Sequence, residues 1–263
     1  MRPPAGEDIV APEFPKQLDW VNVAFLRMSR LMGQHAVLLE FWDFARINSL
    51  RTLPYLVAWH ERYAELGLRV IAVQSPGYSF GRDPDVCRRA VERLGIPFPV
   101  ALDVHHAVWR AYGNRGWPGR YVFDRRGVLR YFHYGEGDYD GTELAVQEAL
   151  LEIEPDLELP EPLDPIRPED APGALMEAQT ADVVLPADRG RLELVRDWLD
   201  GEDYIEAEDA GASALVRYEA GGAWAVLSGG SLEPGLYETD GKLVAEEAGV
   251  RLHGFQFTPR PPG

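Results

Sequence analysis

The chain has 263 residues, 46% of them apolar or aromatic, enough for one large domain or for a medium domain and a small one. Its 43 acidic and 26 basic side chains leave a net charge of −17, which excludes nucleic-acid backbones and anionic lipid surfaces as electrostatic partners, since both require basic patches. A single cysteine, Cys87, excludes an intramolecular disulfide and any four-cysteine metal site.

The opening residues 1–8 lack the apolar stretch of a secretory leader, and no apolar run reaches the ~18–20 residues that cross a bilayer. A cytoplasmic protein without membrane insertion is the expectation. Residues 1–35 are proline-rich and then mixed, with Phe14, Leu18, Trp20, Val21 and Phe25 available for packing, and read as an irregular arm. The apolar run 36–42 predicts a strand buried on both faces. Leu50, Leu53, Leu56, Val57, Trp59, His60 and Tyr63 then follow helical spacing, with Gly67 placed to end it.

Residues 68–73 predict a second buried strand, and 83–94 a helix capped by Asp83, with Pro84 in its first turn and Gly95 at its end. A short strand at 98–102 and a short helix at 105–112 follow. Two strands around Arg125-Arg126-Gly127 read as a hairpin, and 143–153 as a closing helix. Strand–helix alternation of this kind predicts an α/β domain, a central mixed sheet flanked by helices.

The acidic, proline-rich stretch 154–173 has linker composition. Beyond it, 204–207, 214–218, 223–227, 236–239 and 250–257 read as short strands between glycine-rich turns. The expected organisation is therefore a domain over 1–153, a linker over 154–173 and a small mostly-β domain over 174–263.

Phe41-Trp42, Ile47-Asn48, Leu50-Arg51 and Pro54 stand at a spacing that resembles the thioredoxin-like redoxins of the TlpA/DipZ type, in the AhpC/TSA-like superfamily. Those proteins read Phe-Trp, three residues, Cys-Ile-Asn-Cys, Leu-Arg, and a proline five residues after the second cysteine. The stretches 18–22, 97–103, 109–118 and 135–139 continue the resemblance, which covers about 11–153 and implies a thioredoxin-like fold. The stretches 204–207 and 255–258 are similar to the C-terminal β-domain of DipZ-type proteins, likened to a carbohydrate-binding module.

In this register the two cysteine positions hold Arg46 and Ser49. Thiol–disulfide exchange needs an attacking thiolate and a second thiol to resolve the mixed disulfide. Neither side chain serves, so this vestigial site is expected to be redox-inactive, and no catalytic residue or cofactor is assigned. Glu40 stands where thioredoxins keep a buried carboxylate, and an ion pair with Arg46 or another basic neighbour is expected for it. Arg46 at a helix start opposes the helix dipole. Either Asp43 or solvent offsets it, or it joins free helix N–H groups in binding an anion or a partner's carboxylate.

The resemblance makes Pro118 a cis-proline and, with Trp42, Asp43 and Trp117, part of an apolar groove for an extended peptide. The bland alternative is that both tryptophans are core. Cys87, beside Arg88 and Arg89, is either a reactive monothiol or a buried spectator, remote from the old active site. His105-His106 with Asp103 nearby lacks a second ligand cluster, so no metal is expected. Neither a nucleophile elbow nor a glycine-rich phosphate loop occurs.

The preferred expectation is a scaffold or peptide-binding protein derived from a thiol–disulfide oxidoreductase, with an unidentified protein partner. One alternative is a redoxin acting through Cys87 or a partner thiol. Another is a sugar-binding module, which requires aromatics such as Trp224 and Tyr237 on one sheet face.

Overall fold

The computed structural model describes residues 1–4, 6 and 8–262; residues 5, 7 and 263, at the ends of the expected domains, lie outside the described residues. The chain divides into two compact units, one of residues 1–43, 48–76 and 83–172, the other of 44–47, 77–82 and 173–263.

The first unit holds β1 (Asp19–Val21), α1 (Met28–Leu31), β2 (Ala36–Trp42), α2 (Ile47–Tyr63) save its first residue, β3 (Leu68–Gln74), α3 (Pro84–Arg93), β4 (Val100–Leu102), α4 (Ala107–Ala111), β5 (Gly119–Phe123), β6 (Leu129–Tyr134) and α5 (Tyr139–Leu151). Its six strands run in the order β1-β4-β3-β2-β5-β6. The neighbours β2, β3 and β4 are parallel, while β1, β5 and β6 pair antiparallel, which is the expected mixed sheet.

Every residue of β2 is buried, as befits a strand with helices on both faces. Val37, Leu39 and Phe41 share one core with Met28, Ile71, Val73, Val108 and Tyr121. By the two-residue period of a strand, Glu40 and Trp42 take the other face. The Asp83 side chain accepts a hydrogen bond from the Asp85 N–H, and Pro84 opens the helix, as the cap signal predicts.

The arm is not wholly irregular. Asp19–Val21 form an edge strand in register with Val100–Leu102, a pairing that three residues of mixed composition do not announce. The proline-rich stretch does not behave as a solvated spacer either. Residues 154–172 belong to the first unit. There the Ile166 N–H donates to the Tyr55 hydroxyl at 2.7 Å, and that hydroxyl donates to Asp170 at 2.8 Å. Arg51 bridges Glu136 and Glu169, and the Leu163 N–H donates to Glu143. These contacts tie the strap to α2 and α5.

The second unit is all β: β7 (Val183–Val184), β8 (Glu193–Val195), β9 (Trp198–Asp200), β10 (Ile205–Ala207), β11 (Ser213–Leu215), β12 (Gly222–Gly229), β13 (Gly235–Thr239), β14 (Lys242–Val244) and β15 (Val250–Thr258). One sheet runs β13-β12-β15-β10-β9, with β7 also on β15, and a three-stranded sheet runs β14-β11-β8. Trp198, Ile205, Leu227, Leu252, Phe255 and Phe257 lie in its core. The strands β7, β8, β9 and β14 are too short for alternation to reveal them in the sequence.

Candidate functional site

Arg46 and Ser49, the positions of the two cysteines in the redoxin motif, lie in different surroundings. Ser49 is in the first turns of α2, where its buried hydroxyl accepts the Asp43 N–H at 3.2 Å. It therefore serves as a local backbone acceptor. Arg46 immediately precedes α2 and its guanidinium lies over the Tyr78 ring, 4.6 Å from the centroid. Asp182 feels that positive charge, which opposes the upward push of burial on its carboxyl.

The backbone around Arg46 is engaged as well. The Gln256 carboxamide accepts the Ile47 N–H at 2.7 Å, donates to the Ala45 carbonyl at 2.8 Å and donates to the Tyr78 hydroxyl at 3.0 Å. All of these groups belong to the second unit. The Ile47 N–H, a donor that an anion at the helix start would need, is thus occupied by an uncharged amide oxygen.

A bulge explains how β15 presents that glutamine. Val226 of β12 stands opposite Gly254, while the next residue, Leu227, stands opposite Leu252, leaving His253 as the extra residue. Leu252, Phe255 and Phe257 all enter the core, and His253 and Gln256 are turned away from it. His253 meets Ser228 at 2.8 Å through Nε2, and Asp203 at 3.3 Å through Nδ1. The Asp203 carboxylate also accepts from the Ser79 N–H and hydroxyl, and these hydrogen bonds, with His253, hold its pKa down at about 2. The imidazole is 1% exposed and Ser228 5%, with the rings of Tyr78, Phe80 and Tyr204 packed against the imidazole. The Ser-His-Asp order of contacts resembles a nucleophile relay, but this burial makes it a fastener for the 77–82 loop. Nothing in the sequence spacing pointed to it.

Glu40 keeps its buried carboxylate but does not depend on Arg46. It is the register partner of Arg120 across β2 and β5, and Arg120 Nε donates to its Oε2 at 3.0 Å, both side chains being fully buried. Arg120 also donates to Thr142 at 2.8 Å and lies beside the rings of Trp59 and Tyr139. Burial pushes the Glu40 carboxyl pKa up, and the guanidinium opposes that shift. Sequence reading missed Arg120 because only strand register brings residues 40 and 120 opposite one another.

Of the residues expected to line a peptide groove, Trp42 is 2% exposed, Asp43 is 1% exposed and Pro118 is buried. Trp117 is half-buried, donating its indole N–H to the Ser75 carbonyl and packing against Trp109. The Trp117–Pro118 peptide is cis.

Cys87 is fully buried, and burial first, then the charges of Asp43 and Asp83, push its thiol up to about 12, against the opposing pull of Arg88. A buried thiol with a raised pKa is a poor nucleophile at neutral pH. Asp103 accepts from the N–H groups of Val108 and Trp109 and so caps α4. Among the described residues no cluster of three or more His, Cys, Asp or Glu side chains suits a metal ion.

Trp224 and Tyr237 do not share a face. Tyr237 stands opposite Ala225, a core residue, whereas Trp224 stands opposite Glu238 and Gln256. The single aromatic platform that a sugar site requires is absent at these two positions.

A six-stranded mixed sheet with its helices, the motif at the end of β2 and the proline before β5 define a thioredoxin-like domain. Residues 10–132 match the AhpC/TSA family model. Protein DipZ of Mycobacterium tuberculosis (strain CDC 1551 / Oshkosh) is 35% identical over 173 residues, covering 65% of this chain. The chain spans only 25% of the length of DipZ. Thiol-disulfide oxidoreductase YkuV of Bacillus subtilis (strain 168) is 29% identical over 143 residues, 54% of this chain and 95% of YkuV. The solution structure of a thioredoxin-like protein in the oxidized form superposes with a TM-score of 0.50 at 27% identity, covering 55% of this chain and 97% of that one. Among the described residues no helix is long and apolar enough to cross a membrane.

Proposed function

We propose that this redoxin-fold chain performs no dithiol chemistry at its ancestral site and acts as a binding or scaffold protein. The observation that carries the reading is the pair Arg46 and Ser49 at the two cysteine positions. A guanidinium offers no sulfur to attack a disulfide, and a buried serine hydroxyl does not resolve one. Engagement of Ala45 and Ile47 by Gln256 supports the same reading, because the backbone on both sides of Arg46 is already hydrogen-bonded to that carboxamide. A thiol route through Cys87 has the burial of that side chain against it.

The test is reduction of insulin disulfides by dithiothreitol with and without the protein. Wild type should give the uncatalysed rate. The Arg46→Cys/Ser49→Cys variant, with Gln256→Ala added to release the loop, should accelerate it. Catalysis by wild type that disappears in Cys87→Ser would overturn the proposal.

A further inference from the structure

A cavity of about 280 Å3 opens in the amino-terminal arm of the first unit, lined by Phe14, Leu18, Trp20, Phe25 and Leu26 and by the polar residues Glu13, Lys16, Arg27 and Ser29. Phe14 and Trp20 meet edge-to-face at 5.1 Å and form one wall. Phe25 is 71% exposed, a large apolar ring left in water at the mouth of an aromatic cavity. That arrangement costs hydration free energy that an apolar occupant would recover.

The charges at this cavity run against those of the rest of the molecule. Lys16 is one of only two lysines in a chain of net charge −17. Among the described residues neither Lys16 nor Arg27 forms an ion pair, although many of the chain's other arginines do. The carboxylate there, Glu13, is already committed. Its oxygens accept the N–H groups of Phe14, Met28 and Ser29 and so hold the start of α1. Two uncommitted cations therefore face one carboxylate whose lone pairs are engaged.

We propose that this cavity is a binding site for a small apolar carboxylate, an aryl or short branched-chain acid. Its hydrocarbon part sits among Phe14, Trp20, Phe25 and Leu26, and its anion lies toward Lys16 and Arg27. The volume is near the lower end for small-molecule sites, about 300 Å3, so a bicyclic aromatic acid is of the right size and a folded partner is not required. This site is independent of the vestigial redox positions, and its failure would leave the scaffold reading untouched.

The experiment is isothermal calorimetry of the full chain with 2-naphthoate, beside its neutral counterpart 2-naphthamide. The acid should bind saturably at one site, and the amide about tenfold more weakly, the size expected for loss of partly exposed ion pairs. Lys16→Glu/Arg27→Glu should weaken the acid at least as much, while Arg217→Glu, a charge reversal in the second unit, should leave it unchanged. Phe25→Ser should weaken acid and amide alike. Absence of saturable binding up to about 10 mM, the range in which fragment-sized ligands bind, would overturn the proposal. So would equal affinity for acid and amide, or unchanged affinity in the double charge variant.

Discussion

Gln256 and Ile47, 209 residues apart in sequence, are joined by a hydrogen bond of 2.7 Å from the Ile47 N–H to the glutamine Oε1. The amide end of the same side chain donates to the Ala45 carbonyl, so one carboxamide satisfies donor and acceptor on both sides of Arg46. A side chain with both donor and acceptor at its tip is needed for this, which isolates glutamine from glutamate, lysine or methionine of similar length.

Replacing Gln256 by alanine should remove the acceptor of the Ile47 N–H and cost about 1–3 kcal/mol of stability, the usual penalty for an orphaned buried polar group. Urea denaturation gives the loss. Hydrogen exchange at the Ile47 amide, which should quicken far more than exchange in β2, shows that the loss is local to the loop.

The Glu40–Arg120 pair makes a second prediction. Arg120→Met removes the only ion-pair partner described for a fully buried carboxylate and should cost about 3–5 kcal/mol. Glu40→Gln/Arg120→Met should recover much of that, because the uncompensated charge is gone. A double-mutant cycle in urea distinguishes the two cases.

Asp203 predicts an acid-side dependence of stability. Its folded pKa, about 2, lies below its unfolded value of 3.8, held there by Ser79 and His253. The ionised form is therefore favoured by folding. Its stabilisation is fully present above pH 4 and is lost as pH falls through 2. Asp203→Asn should thus be less stable than wild type at pH 5, by on the order of 1 kcal/mol after allowance for its partial solvent exposure. The two proteins should converge only below pH 2, which denaturation midpoints across this range would show.

Cys87 should be inert in the native state. With the thiol pushed up to about 12 and the side chain buried, reaction with 5,5′-dithiobis(2-nitrobenzoate) at pH 7.5 should run at least about a hundredfold slower than in 6 M guanidinium. The absorbance of the released thiolate measures both rates. A native rate close to the unfolded one would place the sulfur at the surface.

Much of the first unit was legible because its signals are local. The run 36–42 is apolar throughout, and Asp83-Pro84 announces a helix start, so β2 and α3 fell where expected. The β unit was legible only where strands are long. The strand at 250–258 was visible, but the bulge at His253 was not, because alternation alone does not mark a switch of register. The site divides in the same way. Arg46 and Ser49 followed from spacing against a known motif. Arg120, Gln256 and Asp203 meet Glu40, Ala45 and His253 across 80, 211 and 50 residues of sequence, and only tertiary register brings such pairs together.

The strap that follows α5 sets where the first unit can be cut without loss of its own hydrogen bonds. Ending the chain at residue 153, where helix periodicity stops, would strip Tyr55 of both hydrogen-bond partners and Glu143 of the Leu163 N–H. The arginine at 51 would lose its contact with Glu169. A fragment cut after Pro172 keeps all of these contacts. The first unit thus runs some twenty residues beyond its last helix, and a cut at that helix would leave a scar of unmet donors and acceptors.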